Sequence, residues 1–414
     1  MKKNKNNVIL FITTLIFLIS FTFQKAFPYT PYSYKITLDE GITFVHHTIK
    51  DYNNTSKNQE INYIELDFNN KNINLSLIKA NNISSSKDTL LNQLNKEESS
   101  NNKNIIGGVN GEFFHLVNGQ PLFTTISNNE LYSIINSTNE ALKRPIFYID
   151  EDRNYSFDFL NVIGNLKFTN SFYPDLKITS INKLDSYNNT NVSNYKINEE
   201  STYYPHEGLP SRYMLIDLLN SDGSFFPGFE LYGKVSEVGE MTMPKKINKN
   251  QLIITSYGDE NYNNISYSFL NEIISIKFDI YSLSENSIKN NITTAFTGHE
   301  YLIKSGEEMT YDYYKTVAEP NLINNRHART ALGITEDNKV ILFTVDDYKD
   351  SIGMTLSELS SYLKSLGVVN AINLDGGGST SISFENDKQK LFLMNQKNKF
   401  QRKISNVIAI TLSK

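Results

Sequence analysis

Between Lys339 and Phe384 the chain sets out a strand, a capped helix, a second strand and three consecutive glycines, and this order restricts the fold more than any other stretch. Lys339 to Val345 carries Val340, Ile341, Leu342, Phe343 and Val345, an apolar run of the length of a buried strand. Thr355 and Glu358 have the spacing of a capping box, in which each side chain satisfies a backbone N–H of the other residue. Leu356, Leu359, Leu363 and Leu366 make one apolar stripe at helical spacing, and Gly367 supplies the stop. Val368 to Leu374 reads as another buried strand, so Asp346 and Asp375 leave like ends of two strands. If those strands are parallel neighbours, both acids open onto one rim, where α/β folds commonly bind ligands.

The second strand runs into Asn373-Leu374-Asp375-Gly376-Gly377-Gly378-Ser379-Thr380. A lone Asp-Gly is a turn signal, with the aspartate hydrogen-bonding its own backbone. Three glycines exceed what one turn needs, and they allow φ > 0 and the approach of a ligand to bare backbone N–H groups. Strand character resumes over Ser379 to Phe384, so Asp375 is expected where two strands meet.

Elsewhere the pattern is β-rich. Tyr34 to Val45 and Ile61 to Ile78 alternate as strands, Thr89 to Leu94 reads as a short helix, and Ile105 to Val109 is a strand that delivers Asn110 and Glu112 at its exit. From Asn154 to Asn291 short strands alternate with polar loops, including the low-complexity stretch Tyr187 to Asn198. The expected class is α+β, with mixed β-sheets and a few covering helices. Lys2, Lys3 and Lys5 precede an apolar run from Val8 to Phe23, the pattern of a signal peptide or an N-terminal anchor over residues 1–28. The remainder divides into an N-terminal β-rich region, 29–104, and a larger domain, 105–414. The chain is then secreted or held at the cell surface, touching a membrane only through its N-terminal segment. No cysteine is present among 414 residues, which excludes disulfides, zinc–thiolate sites and a cysteine nucleophile. A net charge of −5 without an internal basic block argues against a nucleic-acid partner.

The run N-L-D-G-G-G-S-T-S resembles the signature of the phosphodiester glycosidases related to N-acetylglucosamine-1-phosphodiester alpha-N-acetylglucosaminidase. Gly108 to Phe114, with Gly119-Gln120-Pro121 after it, is similar to an N-G-(D/E)-F-F segment of that family. Arg326 to Gly333 resembles H-P-R-T-A-(L/I)-G, Val345-Asp346 and Gly353 to Leu359 resemble V-D-G and G-M-T-L-x-E-L, and Arg402 to Ile410 resembles the closing strand. The resemblance runs from Ile105 to the C-terminus with a divergent middle at about 154–291. Three departures stand out: Ala328 for proline, Asp347 for glycine, and Thr297-Gly298-His299-Glu300 for a glycine-rich loop.

The resemblance implies a phosphodiester glycosidase-like domain acting on a phosphodiester-linked glycan, with N-acetylglucosamine-1-phosphate joined to a sugar or polyol as the expected substrate. Phosphate departs as a stable anion, so such a site needs charge stabilisation more than strong protonation of the leaving group. Arg329 is the expected phosphate clamp and Arg402 a second cation. Asp375 and Glu112 are the expected acids, one acting at C1 and the other stabilising charge or binding hydroxyls, with the two roles unassigned. Asp346, as a ligand or a turn acid, and His327 stand beside them. Asn110 and Asn373 are placed to bond sugar hydroxyls or strand-end backbone groups, and Gly376, Gly377, Gly378 and Ser379 to meet the substrate. Metal dependence is left open: Asp375 with Asp346, Asp347 and Glu112 forms a conceivable oxygen-ligand set for calcium or magnesium. A non-catalytic glycan-binding protein and a glycosyl-phosphate transferase are the alternative readings.

Overall fold

The computed structural model describes residues 32–101, 103–134, 141–183, 190–194, 202–203, 211–243, 245–258, 262–348, 350–386, 390–395 and 401–413. The expected export segment lies outside the described residues, as does the low-complexity stretch except for the strand Thr190–Asn194. Among the described residues no helix is long and apolar enough to cross a membrane.

Two sheets packed face to face carry the site. The first has eight antiparallel strands in the order Tyr32–Asp39, Ile42–Ile49, Gln59–Asp67, Lys339–Val345, Arg329–Thr335, Val368–Asn373, Tyr301–Lys304 and Glu307–Glu308. The second has five, ordered Leu391–Leu393, Ile382–Glu385, Asn104–Asn110, Asn406–Leu412 and Ile73–Lys79. Period-two alternation divides each central strand of the first sheet between two cores. Phe44, Ile64, Leu66, Val340 and Leu342 face the second sheet, where they meet Leu75, Leu77, Val109, Ile382 and Ile408. Val45, Ile61, Tyr63, Ile341 and Phe343 face the helical layer instead.

That layer is built on the helix Leu356–Ser365, whose Leu356, Leu359 and Leu363 are completely buried. Both halves of the expected capping box are formed, and Gly367 has φ +83°, which suits a helix stop. The helix Leu90–Asn101, longer than its apolar signal, covers the outer face of the second sheet through Leu90 and Leu94.

The divergent middle forms its own nine-stranded sheet around Phe225, Ile254, Phe278 and their neighbours. A five-stranded sheet that includes Ile146–Asp150 and Ile292–Thr297 joins this core to the first, with Phe147 and Phe296 on one side and Ile146, Tyr148 and Ala295 on the other. The strands expected as a separate N-terminal β-rich region instead complete both principal sheets, so no break between sheets falls at residue 104.

Candidate active site

Asp346 and Asp375 do leave like ends of two parallel strands, but those strands are not neighbours. Arg329–Thr335 lies between them, antiparallel to both, with Arg329 opposite Val345 and Ala331 opposite Asn373. Beyond Asn373 the chain leaves the first sheet, makes the 3-10 turn Gly377–Ser379 and enters the second sheet at Ile382, opposite Val109. Asp375 therefore occupies the junction of the two sheets, as its place between two strand patterns suggested.

Asn110 fixes that junction. Its Nδ2 donates to the Asp375 carbonyl at 2.6 Å, while its Oδ1 accepts from Thr330 Oγ1 at 2.6 Å and from Ser381 N–H at 3.0 Å. With only 1% of its surface exposed and both ends of its amide engaged, Asn110 braces the sheets and does not present itself to a sugar hydroxyl.

The glycine turn differs from the expectation of bare N–H donors. Gly376 N–H donates to Asp375 Oδ1 at 3.0 Å and Gly377 N–H to the Ala328 carbonyl at 2.8 Å, so both hold the turn itself. Close packing demands glycine at two places: a Cβ at Gly376 would fall 2.7 Å from the Ala328 oxygen, and one at Gly378 would fall 2.5 Å from Arg402 Cζ.

A cavity of about 350 Å³ opens beside this turn, large enough for a sugar ring, and is lined by Asp375, Gly376, Gly377, Asn373, His299, His327, Arg329 and Phe113, among others. Burial pushes the Asp375 carboxyl up to about 6, against hydrogen bonds from Ser379 and Gly376 and the charges of Arg402 and His299. Arg402 is exposed, lies over Gly378 and donates from Nη1 to Ser379 Oγ at 3.4 Å. Ser379 is 2% exposed and serves as the link between Asp375 and Arg402. Asn373 is buried and lines the cavity, and its Oδ1 has no hydrogen-bond partner among the described residues. His327 lines it too, with Nε2 3.2 Å from the Asn321 carbonyl.

Three expected residues take other positions. Arg329 lines the cavity, but its buried guanidinium donates to main-chain carbonyls of Met354 at 2.9 Å, Leu322 at 2.7 Å and Asn325 at 3.0 Å. It holds the 322–325 and 354 segments together, and Arg402 is the cation presented beside the aspartate. Glu112, 2% exposed, does not line the cavity; it accepts from Thr297 N–H at 2.7 Å, Thr125 Oγ1 at 2.9 Å and Asn406 Nδ2 at 3.0 Å. Burial pushes its carboxyl up to about 7 despite those donors and nearby Lys183. Asp346 accepts from Asn395 Nδ2 at 2.9 Å, outside the cavity lining. Asp346, Asp347, Glu112 and Asp375 consequently do not fit a shared ion: among the described residues no three His, Cys, Asp or Glu side chains are placed to hold one.

Several residues here escape motif reading. His299 carries only the signal of an ionisable residue in place of a glycine loop, and nothing in sequence shows its ring packed against Phe113 and Phe123, with centroids 5.0 and 6.0 Å away. Asn406, which also accepts from Glu112 N–H at 2.9 Å, sits inside the closing-strand segment without distinction. Lys183 comes from the divergent middle; its Nζ donates to the Pro121 carbonyl at 2.5 Å, and burial lowers its pKa to about 7.

Residues 239–411 match the model of the phosphodiester glycosidase family, and over that segment the chain is similar to it. The match includes Arg329, Asp375 and Arg402 and excludes Asn110 and Glu112. Over 84 residues the chain is 36% identical to mouse N-acetylglucosamine-1-phosphodiester alpha-N-acetylglucosaminidase, an alignment spanning 20% of this chain and 16% of the mouse protein. In fold it is similar to a hypothetical protein from Synechocystis, with a TM-score of 0.71 and 17% identity over 93% of this chain and 64% of that one. A Burkholderia pseudomallei protein aligns over 92% of this chain and 96% of its own, with a TM-score of 0.71 and 12% identity.

Proposed function

We propose that this protein is an exported hydrolase that cleaves a glycosyl phosphodiester, N-acetylglucosamine-1-phosphate linked to a sugar or polyol of a surface glycan. The observation that carries the reading is Asp375: a carboxyl raised to about 6, facing a sugar-sized cavity, with an exposed guanidinium beside it. A carboxyl that ionises near neutrality suits attack on C1 or activation of a water that attacks it. The planar guanidinium of Arg402 is able to take two phosphate oxygens at once. Asn373 offers an acceptor to a hydroxyl. The family relation supports the reaction class, and the basic start and apolar run of the N-terminus support export.

The test is to incubate the purified protein with UDP-N-acetylglucosamine and with an N-acetylglucosamine-1-phospho-sugar and to identify products by NMR. Free N-acetylglucosamine and a phosphorylated leaving group are expected. Consumption of neither donor, or transfer only to a sugar hydroxyl, overturns hydrolysis.

A further inference from the structure

His299 and Glu300 stand where the resembling family has a glycine-rich loop, and they form a buried-carboxylate and imidazole pair at the cavity wall. Glu300 is fully buried, its Oε2 is hydrogen-bonded to His299 Nδ1, and its Oε1 has no partner among the described residues. Arg144 Nη1 lies 3.1 Å from the same Nδ1 and donates to the His299 carbonyl at 2.8 Å, which fixes the residue from a second side. The ring lines the cavity with Asp375, and its Nε2 makes no hydrogen bond among the described residues. A carboxylate bonded to one imidazole nitrogen sets the tautomer and leaves the other nitrogen to exchange protons.

We propose that His299, oriented by Glu300, passes a proton to the leaving-group oxygen, and that the site therefore accepts glycosyl donors whose leaving group is an alcohol as well as a phosphate. This rests on the hydrolase reading above. A phosphate needs little help to depart, whereas an alkoxide is a poor leaving group and requires a proton in the transition state. In the step, the oxygen of water bonds to C1 as Asp375 takes its proton. The C1–O bond breaks with its electron pair on the leaving oxygen, which receives the Nε2 proton of the imidazolium. Sugar and alcohol are released, Asp375 is left protonated and His299 neutral, and proton exchange through solvent restores the pair. The charged or titratable groups around His299 are Arg144, Glu300 and Asp375, with Arg329, His327 and Glu319 also lining the cavity.

The experiment uses the purified protein with a donor series: the methyl diester of N-acetylglucosamine 1-phosphate, then nitrophenyl, phenyl and methyl N-acetylglucosaminides. The wild type is expected to cleave the phosphodiester and at least the aryl glycosides. His299→Gln should lose on the order of a hundredfold more on phenyl and methyl donors than on the phosphodiester, steepening the dependence on leaving group. His299→Gly should regain alcohol-donor turnover with added imidazole. Glu300→Gln, a change at a positioning residue, should lower kcat on alcohol donors with KM little changed. Equal losses across the series in His299→Gln, absence of imidazole rescue, or a wild type that cleaves only the phosphodiester would overturn the inference and leave the hydrolase reading standing. If the wild type cleaves no member of the series, the hydrolase reading falls and this inference with it.

Discussion

The guanidinium of Arg402 fills the space that a side chain at Gly378 would need, a built Cβ there falling 2.5 Å from Cζ. Gly378→Ala should therefore act mainly by displacing Arg402. Turnover of the phosphodiester is expected to fall about ten- to a hundredfold, the scale of one lost charge-assisted contact. Arg402→Ala should fall by a similar factor, and the double variant should be no worse than either single one, because both remove the same contact. Additive losses in steady-state kinetics would show that the two residues act separately.

Asp375 should set the acidic limb of the pH–rate profile. Its carboxyl titrates near 6, so kcat/KM ought to rise as pH increases through that value and then level off. Asp375→Asn should lose about a hundredfold or more and abolish the limb. The raised pKa means the native state holds this proton more tightly than the unfolded chain, so ionisation opposes folding above about pH 6. The variant should therefore melt no lower than wild type at neutral pH. A much lower melting temperature with retained activity per folded molecule would make Asp375 a turn residue only.

Arg329→Ala should destabilise the protein without selecting among substrates. The carbonyls of Leu322, Asn325 and Met354 would lose their donor, at about 1–3 kcal/mol for each buried group left unsatisfied. Thermal melting should show the loss, and activity per folded molecule should drop equally on phosphorylated and phosphate-free donors. A loss confined to phosphorylated donors would restore Arg329 as the anion clamp.

Glu112 predicts a pH dependence of stability. Its folded pKa of about 7 lies above the ordinary 4.5, so the native state binds the extra proton and stability falls as pH rises between those values. Lys183, lowered to about 7 from 10.5, contributes the opposite slope above that range. Glu112→Gln should remove the acidic-side slope. It should also melt lower at pH 5, because the amide must turn its NH₂ toward Thr297 N–H or toward the Thr125 and Asn406 donors. Chemical denaturation at pH 5 and pH 7 measures both effects.

Local signals were sufficient wherever one element settles the outcome. The helix at Leu356 was legible because its cap and apolar stripe are both encoded within twelve residues, and the Lys339–Val345 strand because it is buried on both faces. The glycine run was read as access for a ligand to bare N–H groups, whereas at Gly376 and Gly378 the groups that come close are the Ala328 carbonyl and the Arg402 guanidinium. What sequence could not show is which neighbour approaches. The strand between Asp346 and Asp375 arrives from earlier in the chain, so adjacency of the two acids could not be read from the intervening helix. Whether Arg329 or Arg402 faces the cavity depends on carbonyls at 322, 325 and 354, and carbonyls leave no trace in residue identity. Glu112 was expected at the site, yet it is buried and does not line the cavity.

The Asn406–Leu412 strand lies between Ile73–Lys79 and Asn104–Asn110, pairing with both, and carries the Asn406 amide to Glu112. For a polypeptide that emerges N-terminus first, from a ribosome or across a membrane, that central slot must wait for residues 111–405 to appear before its strand does. Until then two strands expose unpaired edges, the kind of surface that invites association with other chains. Biogenesis is therefore the stage at which this protein is most exposed to aggregation, and a nascent chain arrested before residue 406 should be its most chaperone-dependent form.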